Sequence, residues 1–94
     1  MTVAETIEEK LTAAFAPAQL MVEDDSARHA GHASAPSGGE SHFNVYIVSD
    51  AFAGLSRVDR QRRIYQILAA ELAGPVHALA LRALTPDEIT QKKA

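Results

Sequence analysis

Four histidines and a cluster of arginines are the chain's candidates for chemistry: His29, His32, His42 and His77, and the run Arg57-Val58-Asp59-Arg60-Gln61-Arg62-Arg63. Neutral imidazole is the commonest protein metal ligand. His29 and His32 stand three apart within Ala27–Glu40, ARHAGHASAPSGGE. A glycine-rich loop can bend two such rings toward one ion, although HxxH in a loop is unspecific and its spacing alone favours two solvated side chains. His77 follows Gly74-Pro75 and lies between Val76 and Ala78, so it is either a hydrogen-bonded packing residue or an exposed ligand at a sheet corner. Arg57, Arg60 and Arg63 step by three along one helix side. They could meet phosphates, or they could form a solvated face.

Other chemistry is excluded. The chain has no cysteine, which removes disulfides, zinc-thiolate sites, a cysteine nucleophile and any iron–sulfur cluster held by its own thiolates. Gly54-Leu55-Ser56-Arg57-Val58 begins like a nucleophile elbow but ends in valine. No Walker-type or dinucleotide glycine loop is present. Asp24 and Asp25 are adjacent, so on an extended chain they point apart and make a poor acid–base pair. The net charge of −3 gives no support to general polyanion binding.

The elements that must position these residues are short. At 94 residues the chain has room for a single domain over 1–94, with a C-terminal tail at 91–94. Its 47% apolar and 22% charged residues are ordinary for a globular protein. No apolar run is long enough for a membrane span. No secretory signal is visible at MTVAETIEEK, so a soluble, cytoplasmic protein is expected.

Helical spacing of Ile7, Leu11, Ala14 and Phe15 predicts a helix over 2–15, opened by a Thr2–Glu5 capping box and stopped by Pro17. Leu20–Glu23 is a short strand candidate. Residues 27–40 form a flexible loop near the length at which structureless loops are usually functional or disordered. In Phe43–Val48, Phe43, Val45 and Ile47 share one face, while His42, Asn44 and Tyr46 share the other; His42 reads as structural. The longest helix is expected over 57–72, with Val58, Ile64, Tyr65, Leu68 and Leu72 on one face and Gly74-Pro75 as its end. His77–Leu84 is a third strand, and Thr85-Pro86-Asp87-Glu88 opens a last helix. The order is α-β-β-α-β-α: an antiparallel hairpin, then a helical crossover to a parallel third strand. The fold class is α+β, a three-stranded mixed sheet with helices on one face.

Taken together, these residues resemble the BolA family. The likeness lies in Asp25-Ser26 followed by His29, Glu40-Ser41-His42-Phe43, and Val48-Ser49 followed by Phe52, Gly54 and Leu55. It continues in Arg60-x-Arg62, Ile64-Tyr65, His77-Ala78-Leu79-Ala80-Leu81 and Thr85-Pro86-x-Glu88, and it covers roughly residues 5–90. Gln61 stands where family members commonly carry a histidine. The resemblance implies a fold similar to a class II KH domain. It also implies a non-enzymatic partner of monothiol glutaredoxins in iron–sulfur cluster handling and iron homeostasis. His77 matches the family's C-terminal histidine; the variable loop ligand corresponds to His29, with His32 as the alternative. Histidines can replace two cysteines on one iron of a [2Fe–2S] centre, as in Rieske centres. A shared cluster would then draw its sulfur ligands from the glutaredoxin cysteine and glutathione. The rival reading is a DNA-binding transcriptional regulator contacting phosphates through Arg57, Arg60 and Arg63. The GxxG clamp of KH domains is absent, and only Tyr46 is available for base stacking on the open face.

Overall fold

A computed structural model describes residues 2–24 and 42–93. Helix α1 runs Val3–Phe15 and begins with the expected capping box: Glu5 N–H donates to Thr2 Oγ1 at 3.1 Å, and Thr2 N–H to Glu5 Oε1 at 2.9 Å. The bond from the Thr2 backbone, then that from its side chain, holds the Glu5 carboxyl below its usual range. Ile7, Leu11 and Phe15 are buried, whereas Ala14, expected on the same face, is exposed. Ala16 closes the helix in the left-handed region (φ 43°), donating to Thr12 O at 3.0 Å. Pro17 then bars any continuation.

Strand β1 (Gln19–Asp24) pairs antiparallel with β2 (His42–Val48), and β2 pairs parallel with β3 (Ala78–Leu84), in the order β1-β2-β3. The mixed sheet is the one expected. On β2, Phe43, Val45 and Ile47 are buried against the helices, and His42, Asn44 and Tyr46 lie half-buried on the other face. A 3₁₀ turn (Asp50–Phe52) follows β2 and drives Phe52 into the core. Its ring meets Phe15 at a centroid distance of 4.8 Å. Ser49, also buried, donates its hydroxyl to Phe15 O at 2.7 Å and accepts Ala51 N–H at 3.1 Å. Gly54 makes the turn into the next helix at φ 79°, a conformation that a side chain would strain.

The long helix departs from expectation. It is two helices, α2 (Arg57–Ile67) and α3 (Ala69–Ala73), divided at Leu68. Of the face expected to turn inward, Ile64 and Leu68 are buried and Leu72 is half-buried, but Val58 and Tyr65 are 53% and 40% exposed and Arg60 is buried in their place. Lys10 and Glu71, 2.8 Å apart, tie α1 to α3. Helix α4 runs Pro86–Lys93, so residues 91–93, expected in a tail, are helical. Thr85 and Glu88 form a second capping box, with Glu88 N–H on Thr85 Oγ1 at 3.3 Å and Thr85 N–H on Glu88 Oε1 at 2.7 Å. No helix of the described residues is long and apolar enough to cross a membrane.

Candidate functional site

The sheet brings the end of β1 and the starts of β2 and β3 to one of its ends. In the β2–β3 register His42 lies opposite Ala78, so His77 stands one residue beyond the first pair of the parallel ladder. In the β1–β2 register Asp24 lies opposite Phe43, so β1 ends where β2 begins. The chain between them carries His29 and His32. Both histidines lie outside the described residues, as does the loop expected over 27–40.

Val76 explains why His77 is where it is. Its side chain is 4% exposed, within the core, and its N–H donates to Glu71 O at 2.9 Å. Anchored this way, the chain leaves α3 and turns up into β3, and the next residue, His77, is exposed. Of the two readings of His77, an exposed residue at a sheet corner is the one that this geometry fits. His42 is half-buried at the start of the central strand, beside a shallow depression lined also by Asn44, Ala78 and Ala80. Among the described residues no three histidine or carboxylate side chains gather closely enough to hold a metal ion.

The arginines do not form one stripe. Arg57 and Arg63 are exposed, but Arg60 is 8% exposed and turned inward. Its Nε donates to Leu55 O at 3.0 Å, and its Nη1 to Ala83 O at 3.0 Å and to Glu88 Oε1 at 2.7 Å. The guanidinium carbon stands 6.0 Å from the Phe52 ring centroid. Arg60 is therefore a structural cation that joins α2, β3 and α4, and the expected phosphate contact at this position is corrected. A period of three follows one side of a helix only loosely, and position 60 falls four residues before Ile64, on the buried side. Arg62, also exposed, lies 3.4 Å from Asp59.

Arg82 is a further cation, outside the arginine run of α2. It is exposed on the open sheet face, opposite Tyr46, which in turn lies opposite Met21. Period-two alternation in Ala78–Leu84 would have put it on that face. With Glu23, Asn44 and Ala80, these residues line an open groove of about 330 Å³ across the sheet, and Asn44 Nδ2 donates to Glu23 Oε1 at 3.2 Å.

A small α+β domain, with a histidine at the head of its parallel strand pair and helices on one face of a three-stranded mixed sheet, is the class that these features define. The profile of the BolA-like proteins matches residues 11–88, and the chain belongs to that family. It is 51% identical over 88 residues to the DNA-binding transcriptional regulator BolA of Escherichia coli K12, covering 94% of this chain and 80% of that protein. It is 52% identical over 87 residues to SufE-like protein 1, chloroplastic/mitochondrial, of Arabidopsis thaliana, covering 88% of this chain but only 24% of that longer protein. Against BolA-like protein 1 of mouse it spans 57% of the relative's length. The solved structure of BolA1 from Arabidopsis thaliana superposes with a TM-score of 0.81 at 39% identity, over 94% of this chain and 96% of that one.

Proposed function

We propose that the chain is a non-enzymatic adaptor that binds a monothiol glutaredoxin and shares a [2Fe–2S] cluster with it, in iron–sulfur cluster assembly or trafficking and iron homeostasis. The observation that carries this reading is the exposed His77 at the end of the sheet where β1 ends and β2 begins. The segment bearing His29 and His32 connects β1 to β2 at that same end. A ligand from that segment, His29 or alternatively His32, would complete an imidazole pair with His77. The donor set fits a group of this kind in part: imidazole nitrogen can hold iron, but the chain has no thiolate. Sulfur must come from the partner's cysteine and from glutathione. When bound, such a cluster supplies an iron–sulfur unit that can be passed on or sensed. The residues of this chain supply nitrogen donors and an interface. A cytoplasmic location goes with this reading.

The deciding experiment mixes the chain with a reconstituted glutaredoxin cluster and glutathione and follows visible absorption and circular dichroism. A heteromeric spectrum distinct from that of the glutaredoxin alone is expected. The chain by itself, reconstituted anaerobically, should stay colourless; a stable brown homomeric species would contradict the shared-ligand argument.

A second reading, a DNA-binding regulator, is favoured by the name of the Escherichia coli relative and by the exposed Arg57, Arg63 and Arg82. It has to do without Arg60, whose guanidinium is committed inside the fold.

A further inference from the structure

Strand β3 lies at an edge of the sheet, and its register fixes which backbone groups face outward. Val48 lies opposite Leu84, and Ser49 N–H donates to Leu84 O at 2.9 Å. In a parallel pair a residue turns its N–H and its C=O toward the same side, and the side alternates along the strand. Leu84, Arg82 and Ala80 therefore turn theirs to β2, whereas Ala83, Leu81 and Leu79 turn theirs to the free edge. Ala83 agrees with this assignment, since its carbonyl accepts from Arg60. Among the described residues no hydrogen bond reaches the outward groups of Leu79 and Leu81.

Beside this edge runs a groove of about 250 Å³ between α2 and β3, lined by Arg57, Gln61, Leu81, Arg82, Ala83 and Leu84. Arg57 and Arg82 are exposed, and among the described residues neither meets a carboxylate. The groove is thus cationic in a chain whose net charge is −3.

We propose that this groove receives an extended acidic peptide segment of a partner protein, added as a further strand along β3. The backbone at Leu79 and Leu81 offers alternating donors and acceptors, and a peptide backbone supplies both complements. Arg57 and Arg82 select acidic side chains along the added strand and steer the encounter. A nucleic-acid strand matches the edge less well. Its phosphates only accept, and no aromatic side chain lines the groove to stack a base. The groove does not include His77, and the proposal does not depend on cluster sharing.

The test uses the isotopically labelled chain and an acetylated, amidated hexapeptide alternating glutamate and valine, followed by ¹H–¹⁵N spectra. Saturable shifts at the amides of Leu79, Leu81 and Arg57 are expected. The double variant Arg57→Glu/Arg82→Glu should weaken binding about tenfold or more. It should keep its fold, because an acid is favoured in the first turn of α2 and position 82 is exposed. N-methylation of alternate peptide residues should abolish the shifts, which separates strand pairing from charge attraction alone. Equal binding by the lysine–valine peptide, indifference to N-methylation, or shifts confined to the open sheet face would each overturn the proposal. So would an oligothymidylate that perturbs the same amides at lower concentration than the peptide, since the groove would then belong to nucleic acid.

Discussion

Arg60 Nη1 lies 2.7 Å from Glu88 Oε1, and that same carboxylate oxygen accepts the Thr85 N–H at 2.7 Å. One atom thus completes the cap of α4 and neutralises the cation that holds α2 against the end of β3. The ion pair joins side chains that are 10% and 37% exposed, so it is neither a surface pair worth little nor a fully desolvated one.

Removing the cation should destabilise the fold markedly. Arg60→Ala leaves Leu55 O and Ala83 O without their donor and deletes a packed side chain, for a cost of about 2–4 kcal/mol in urea unfolding. Arg60→Lys should recover only part of this, because an ammonium lacks the guanidinium's planar fork. A value for Arg60→Ala within about 0.5 kcal/mol of the parent, the range of an ordinary surface substitution, would refute the assignment.

Acid should act through Glu88. The hydrogen bond from Arg60, followed by that from the Thr85 backbone, lowers its carboxyl to about 2, while in the unfolded chain it titrates near its ordinary value of about 4.3. A depressed folded-state value means stability that is fully present above the unfolded value and lost as pH falls toward about 2. The stability gap between the parent and Glu88→Gln, on the order of 1 kcal/mol after solvent screening, should therefore shrink between about pH 5 and pH 2. A gap that stays constant across that range would remove Glu88 from the acid response.

His77→Ala should abolish the heteromeric visible circular dichroism signal with the glutaredoxin cluster while leaving far-ultraviolet dichroism unchanged, since His77 is exposed. His29→Ala should disturb that signal more than His32→Ala. Similar, small effects of the two loop variants would mean that either ring can serve. Acidification should also release the cluster, because protons compete with iron for imidazole nitrogen. An unchanged spectrum in His77→Ala would remove that residue from the ligand set.

Any DNA binding should be weak, independent of sequence, and salt-dependent with a log–log slope near −0.9 for each phosphate neutralised. Arg57→Ala/Arg63→Ala should reduce it without loss of stability. Tight binding at physiological salt, lost in that variant, would favour the regulator reading over the adaptor.

The order of strands, their directions, the Thr2–Glu5 capping box and the start of the last helix at Thr85-Pro86 are legible in the sequence because each rests on local chemistry, as does the alternation of Phe43, Val45 and Ile47. The failures share a cause. In the sequence Arg60 reads as an exposed cation, on a phosphate-contacting or a solvated face, because Glu88, Ala83 and Leu55 reach it only through the tertiary fold. The division at Leu68 carries no proline or glycine to announce it. Val58 and Tyr65 were put on the inner face because apolar residues were counted there and an arginine was not. His77 was recognisable by its neighbours, but its exposure follows from the anchoring of Val76, which spacing alone does not reveal.

The pairing of β2 on both sides also sets how the sheet opens in time. The N–H groups of β2 have a neighbouring strand on either side, so deuterium should enter there only when the whole domain unfolds. Leu79 and Leu81 belong to the same sheet, yet their N–H groups face its free edge and should exchange orders of magnitude faster than that of Ile47. The sheet would then show two exchange regimes along β3, alternating residue by residue, with protection at Ala80 and Arg82 and rapid labelling between them.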